Sequence, residues 1–215
     1  MRKEHFRRKV MKNCSKNYNW SLKCYLIIFI SKGTIIGVKK EVNCMNIQKF
    51  TQKSIEAINN CEKIAYDYGN QEIDQEHFLY SLMTIEDSLI ANLIEKMNID
   101  KDIFLKNIEQ LLNQKNKVSG DVKLYISNDL NKVLVNAEDE AKRMGDSYVS
   151  VEHLMLALIA APNRAIKQLF KTYGINRESF LSVLATVRGN QTVTSDNPEA
   201  TYDTLNKYAT ASLIQ

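Results

Sequence analysis

A gap-free internal match constrains this chain more than any other feature. Residues 60–105, shifted by 76, fall on residues 136–181 with 12 identities across 46 positions. Unrelated stretches of ordinary composition would give about one identity in fifteen to twenty. Gly69 falls on Gly145, the pair Glu76-His77 on Glu152-His153, Leu82 on Leu158 and Phe104 on Phe180. Most remaining apolar positions match in kind. The chain is therefore a duplication, each copy a unit whose apolar face needs a neighbour.

Each copy reads as four helices. In the first helix Ile55, Ile58, Cys61, Ile64, Ala65 and Tyr68 recur at three-to-four spacing after Thr51, a good cap, and Gly69 stops it. The second copy repeats this from Ser127 through Leu130, Val133, Leu134, Ala137 and Ala141 to Gly145. Asp74 and Ser150 open the second helices. The third helices end at Asn98 and Gly174, which tolerate a left-handed turn. Asp100 and Asn176 open the fourth. With 7 Gly and 2 Pro in 215 residues there is little material for hairpins. The expected fold is all-α, two pseudo-symmetric tandem four-helix repeats, eight helices in all. The repeats are placed at about residues 50–112 and 126–188, joined by the polar residues 113–121 and followed by a linker and tail over 189–215, with a short amphipathic piece at 200–208.

The net charge of +4 averages two unlike pieces. Residues 1–44 carry 11 Lys and Arg against Glu4 and Glu41, which leaves 18 basic and 23 acidic residues in 45–215. An acidic body argues against nucleic acid as a partner, because phosphate affinity comes from clustered Lys and Arg. Cys14, Cys24 and Cys44 precede the body, and Cys61 is its one cysteine. On a helical apolar face a thiol acts as a small hydrophobe, which fits a core position and a reducing cytoplasm. The apolar run at 24–30 falls far short of the about 20 residues a membrane span needs. No small-x-small cleavage site follows it. Residues 1–44 are expected to be a basic extension outside the native structure, with Met45 as the natural start; a weak membrane anchor is the alternative.

The repeated Glu-His pairs are the one tempting catalytic feature. A zinc site would want His-Glu-x-x-His or three convergent ligands, and each copy offers one His and one Glu. The simpler reading is helix-start architecture: a glutamate answering the dipole, and a histidine bonding at the first turn. No Gly-x-Ser-x-Gly occurs, nor any Gly-x-x-x-x-Gly-Lys-Ser/Thr loop to cradle nucleotide phosphates. The expectation is a chain that is not an enzyme and takes no cofactor and no metal.

Phe50-Thr51-Gln52-Lys53, the Gly69 and Gly145 stops, the two Glu-His openings and the 76-residue duplication together resemble the Clp repeat domain. That domain precedes the two ATPase rings of ClpA, ClpB and ClpC proteins. The flank Val187-Arg188-Gly189-Asn190-Gln191, then Asn197-Pro198-Glu199-Ala200-Thr201-Tyr202 and Leu205-Asn206-Lys207-Tyr208, is most similar to the ClpB type. The resemblance runs over residues 45–208 and stops there; Ala209 to Gln215 depart from the family pattern, as in a chain truncated before the ATPase.

The resemblance implies a mobile, non-catalytic module of a protein disaggregase that engages unfolded or aggregated polypeptide in the stress response. It carries over Thr51, Asp146 and Glu152 as polar positions of substrate engagement. Asp146 and Glu152 bracket the loop between Gly145 and Val151 and would present acceptors to a peptide, with Tyr148 and Val149 as an apolar floor. The alternative is an adaptor-docking domain of the ClpA/ClpC type. Adaptor proteins or ATPase-bearing Clp subunits are the further partners implied.

Overall fold

The computed structural model describes residues 47–118, 123–189 and 192–196. The readings on residues 1–44, on the middle of the joining stretch and on the tail from residue 197 lie outside the described residues. Among the described residues eight α-helices follow one another: α1 Gln52–Asp67, α2 Gln75–Thr84, α3 Leu89–Lys96, α4 Lys101–Gln114, α5 Asn128–Arg143, α6 Val151–Ala160, α7 Arg164–Tyr173 and α8 Arg177–Arg188. The fold is all-α, and α5–α8 repeat α1–α4.

Local chemistry sets the boundaries. Thr51, Ser88, Asp100, Ser127, Asn163 and Asn176 each accept with a side-chain oxygen from a backbone N–H three residues on. That pairs one of the donors a helix start leaves unsatisfied. Gly69 at φ 70° and Gly145 at φ 74° turn the chain directly after α1 and α5. A Cβ would strain that conformation.

The second helix of each half is the centre. Every residue of α6 from Val151 to Leu158 is buried, and α2 buries Gln75 to Leu79 with Ser81, Leu82 and Met83. Helices buried on nearly every face form the interior of a bundle, and the buried polar side chains Gln75, His77, Ser81 and His153 are hydrogen-bonded there. Leu82, Leu158, Phe104 and Phe180 have no exposed surface, and one continuous core draws on both halves. Cys61 lies in that core, its Sγ donating to the Ala57 carbonyl at 3.2 Å.

Two short pairings not read from the sequence join the halves. Strand β1 (Glu72–Ile73) runs parallel to β2 (Tyr125–Ile126), with Ile73 opposite Ile126, and Phe50 bridges Val149 in the same sense. Shifting Ile73 forward by 76 gives Val149, and shifting Ile126 back gives Phe50. The same contact is thus made twice with the halves exchanged. Pairings of two residues carry no detectable alternation, which is why sequence reading passes over them.

Candidate functional site

Two of the polar residues singled out in the sequence, Asp146 and Glu152, converge in the interior of the second half. The loop after Gly145 places Asp146 beside the start of α6, where Ser150 is the N-cap and His153 the third helical residue. His153 Nδ1 accepts from the Ser150 N–H at 2.9 Å, which fixes the ring as the tautomer with hydrogen on Nε2; that hydrogen goes to Asp146 Oδ2 at 2.8 Å. Arg188, at the end of α8, reaches back to Asp146 Oδ1, and the Val193 N–H donates to the same oxygen at 2.7 Å. Burial alone would raise the Asp146 carboxyl; the bonds from His153, Arg188 and Val193 outweigh it and bring it down to about 2.

Glu152 completes the cluster. Its side chain has no exposed surface, and its Oε1 lies 3.7 Å from Arg188 Nη1. No hydrogen bond reaches either of its oxygens among the described residues. Two buried carboxylates therefore share one guanidinium, with the α6 dipole supporting Glu152 in the first turn.

The first half builds the same place with other charges. His77 Nδ1 accepts from the Asp74 N–H at 3.0 Å, and its Nε2 lies 3.0 Å from Asn70 Oδ1. Lys115 Nζ sits 2.8 Å from both Asp74 and Glu76. Burial, then the Lys115 charge, depresses His77 to about 4, so the ring is neutral at pH 7. Both histidines are helix-start fixtures. Among the described residues no three His, Cys, Asp or Glu side chains converge as metal ligands.

The five positions carried over from the resemblance fall as follows. Thr51 is wholly buried: it caps α1, bonds Ser54 Oγ at 3.0 Å, and its N–H donates to the Val149 carbonyl at 3.0 Å. Asp146 and Glu152 show no side-chain surface to solvent. Their acceptors are turned inward, because three donors converge on one carboxylate and Arg188 covers the other. Val149 is core, paired with Phe50, and so forms no outer floor. Tyr148 is half-buried.

Sequence reading missed Arg188 and Val193 as members of this cluster. A signal for the first was present: the duplication puts Arg188 on Leu112 and Asp146 on Asn70. An opposite charge thus appears at each of two places that are uncharged in the first copy.

The surface offers a different feature. Tyr66 is 79% exposed, Tyr125 47% and Ile126 36%. Asn59, Glu62, Lys63, Tyr66 and Leu124 line one shallow groove between α1 and the approach to β2. Among the described residues strand β2 pairs with β1 alone and so forms an edge.

Comparison with known proteins settles the kinship. Residues 49–173 match the family model of the Clp repeat (R) N-terminal domain. The chain belongs to that family. Chaperone protein ClpB of Bacillus anthracis is 40% identical over 168 residues, covering 76% of this chain and 19% of the relative. This Clp N-domain chain thus spans about a fifth of the length of the ClpB relatives it matches. Among solved structures, the Hsp104 N-terminal domain from Candida albicans superposes with a TM-score of 0.59 at 23% identity, over 69% of this chain and 97% of that one. A ClpV N-domain in complex with a VipB peptide superposes with a TM-score of 0.56 at 17% identity, over 75% and 100%. At such identities the likeness is one of fold. Among the described residues of this Clp N-domain, no helix is long and apolar enough to cross a membrane.

Proposed function

We propose that this Clp N-domain is the polypeptide-receiving module of a ClpB-type chaperone system in the cytoplasm, contributing binding and no catalysis. Unfolded or aggregated chains expose apolar side chains and unpaired backbone, and the module takes both. The observation that carries the reading is the groove lined by exposed Tyr66 and half-buried Leu124, with exposed Tyr125 and Ile126 next along the edge strand β2. Clustered aromatic and branched residues on a soluble domain mark an interaction surface. An edge strand adds backbone pairing for an extended segment. Glu62 and Lys63 at the rim place both signs of charge beside the groove, which suits a receiver of varied sequences. The peptide-bound ClpV N-domain, of the same fold, supports a peptide as ligand. ATP-driven work falls to ATPase-bearing Clp subunits.

The test is fluorescence anisotropy with a labelled, permanently unfolded polypeptide, comparing the full chain with a Tyr66→Ala/Tyr125→Ala variant. Affinity is expected to fall at least fivefold with an unchanged melting temperature. Unchanged affinity in the variant removes the surface from consideration. Capture of a folded adaptor without binding to the unfolded probe would favour the ClpA/ClpC-type role instead.

A further inference from the structure

The segment after α8 has the composition of a linker, yet part of it is built into the domain. Val193 has no exposed surface. Its N–H donates to Asp146 Oδ1 at 2.7 Å, and its carbonyl accepts from the Ser147 N–H at 3.0 Å, so both its backbone groups are paired with the loop after Gly145. Three residues on, the Asp196 carbonyl accepts from the Gln52 N–H at 2.9 Å, one of the donors that the start of α1 leaves over. The Gln52 amide lies 3.4 Å from the Asp196 carboxylate.

The first half contains the counterpart. After α4, the Val118 N–H donates to the Gly69 carbonyl at 2.8 Å, the Asn70 amide donates to the Asn116 carbonyl at 3.2 Å, and Lys117 bridges Asn70. Lys117 is the residue that the 76-residue shift places on Val193. There the chain must return along β1 as β2 to start α5, so the segment is held at both ends. In the second half the segment is anchored by one apolar side chain, and Thr192, Thr194, Ser195 and Asp196 are exposed.

We propose that residues 192–196 are a strap that docks on the domain and leaves it as a unit, switching the point from which the chain departs. Docked, the chain leaves beside the start of α1. Released, it leaves from the end of α8, and the stretch between Gly189 and residue 197 adds about 25 Å of reach at roughly 3.3–3.6 Å per residue. The device sets how far the module ranges from whatever it is tethered to, and it holds whichever ligand the module takes. Release as a unit follows from the anchoring. Val193 is the strap's single buried side chain, and Asp146 and Ser147 hold both its backbone groups, so once Val193 leaves only the exposed Asp196–Gln52 pairing would be left to hold the strap, with no apolar burial behind it.

Amide hydrogen exchange on the full chain tests this. The Ser147, Val193 and Gln52 amides are expected to exchange at one shared rate, at least tenfold faster than core amides such as Phe104 and Leu158 and slower than unpaired amides. Val193→Ala and Val193→Gly should raise the shared rate at least tenfold and leave the core rates unchanged. Three unrelated rates, an unprotected Val193 in the unaltered chain, or opening only together with the core would each overturn the proposal. The rates of the unaltered chain decide the matter even if a variant fails to fold.

Discussion

Thr51 and Ser127 occupy equivalent places in the two halves, and each is bonded to the other half. The Thr51 N–H donates to the Val149 carbonyl at 3.0 Å, and the Ser127 N–H donates to the Ile73 carbonyl at 2.8 Å. Each residue also caps the first helix of its own repeat. The duplication has therefore produced reciprocal clasps between the halves.

Neither half should fold alone. A fragment of residues 45–118 is expected to show less than half the helicity per residue of the full chain and no cooperative melt, since the core crosses between halves and short helices depend on packing. Circular dichroism on the fragment, alone and mixed with residues 119–215, checks this. A cooperative melt of the lone fragment would show that the clasps are ornamental.

Leu82 and Leu158 sit at matching core positions without exposed surface. Truncating either to Ala should cost about 2–5 kcal/mol, as for buried leucines in general. Urea unfolding gives the number directly, and a loss below about half a kilocalorie at both would contradict the packing of the central helices.

Mild acid should loosen the fold through His77. Its folded value of about 4 lies below the ordinary 6.5, so between those pH values the unfolded chain binds a proton that the folded chain refuses. The stability this residue contributes is complete above about pH 6.5 and declines as pH falls to 4, by on the order of 3 kcal/mol. Asp146, held down to about 2, withdraws its own contribution only as pH falls below the ordinary 3.8. Unfolding free energies of the full chain and of His77→Gln at pH 7 and pH 4.5 test the first step. An equal loss in both proteins would assign the acid sensitivity elsewhere.

The buried ionic cluster should behave as structure. Arg188→Leu leaves the buried carboxylates of Asp146 and Glu152 without their cation and should cost about 3–5 kcal/mol, as when a buried ion pair loses a partner. The triple variant Asp146→Asn, Glu152→Gln, Arg188→Leu removes all three charges and should regain most of that loss, non-additively. Affinity for an unfolded polypeptide, measured well below the transition, should stay within twofold throughout. A fall in affinity at unchanged stability would return Asp146 and Glu152 to the binding surface.

The helices and their caps were legible because they are local. Thr51, Asp74, Asp100, Ser127, Ser150 and Asn176 each announce a helix start through one short side chain and the N–H groups beside it. The Gly69 and Gly145 stops need only a backbone without Cβ. The duplication carried the eight-helix architecture, because equal apolar patterns must bury equal faces. The candidate site was less legible. Sequence position placed Asp146 and Glu152 at the two ends of one loop but could not tell which way their carboxylates turn.

That direction was decided at long range. Arg188 lies 42 residues from Asp146 and Val193 lies 47 residues away, and both arrive there only when α8 packs back on α6. Exposed Tyr66 and half-buried Leu124 likewise come to line one groove only once β2 pairs with β1. The sequence by itself determined what depends on neighbours within a few residues: helix limits, repeat register, buried faces and family. The tertiary structure alone decided which charges are neutralised inside and which apolar side chains stay outside, because burial and electrostatic pairing depend on residues far apart in the chain.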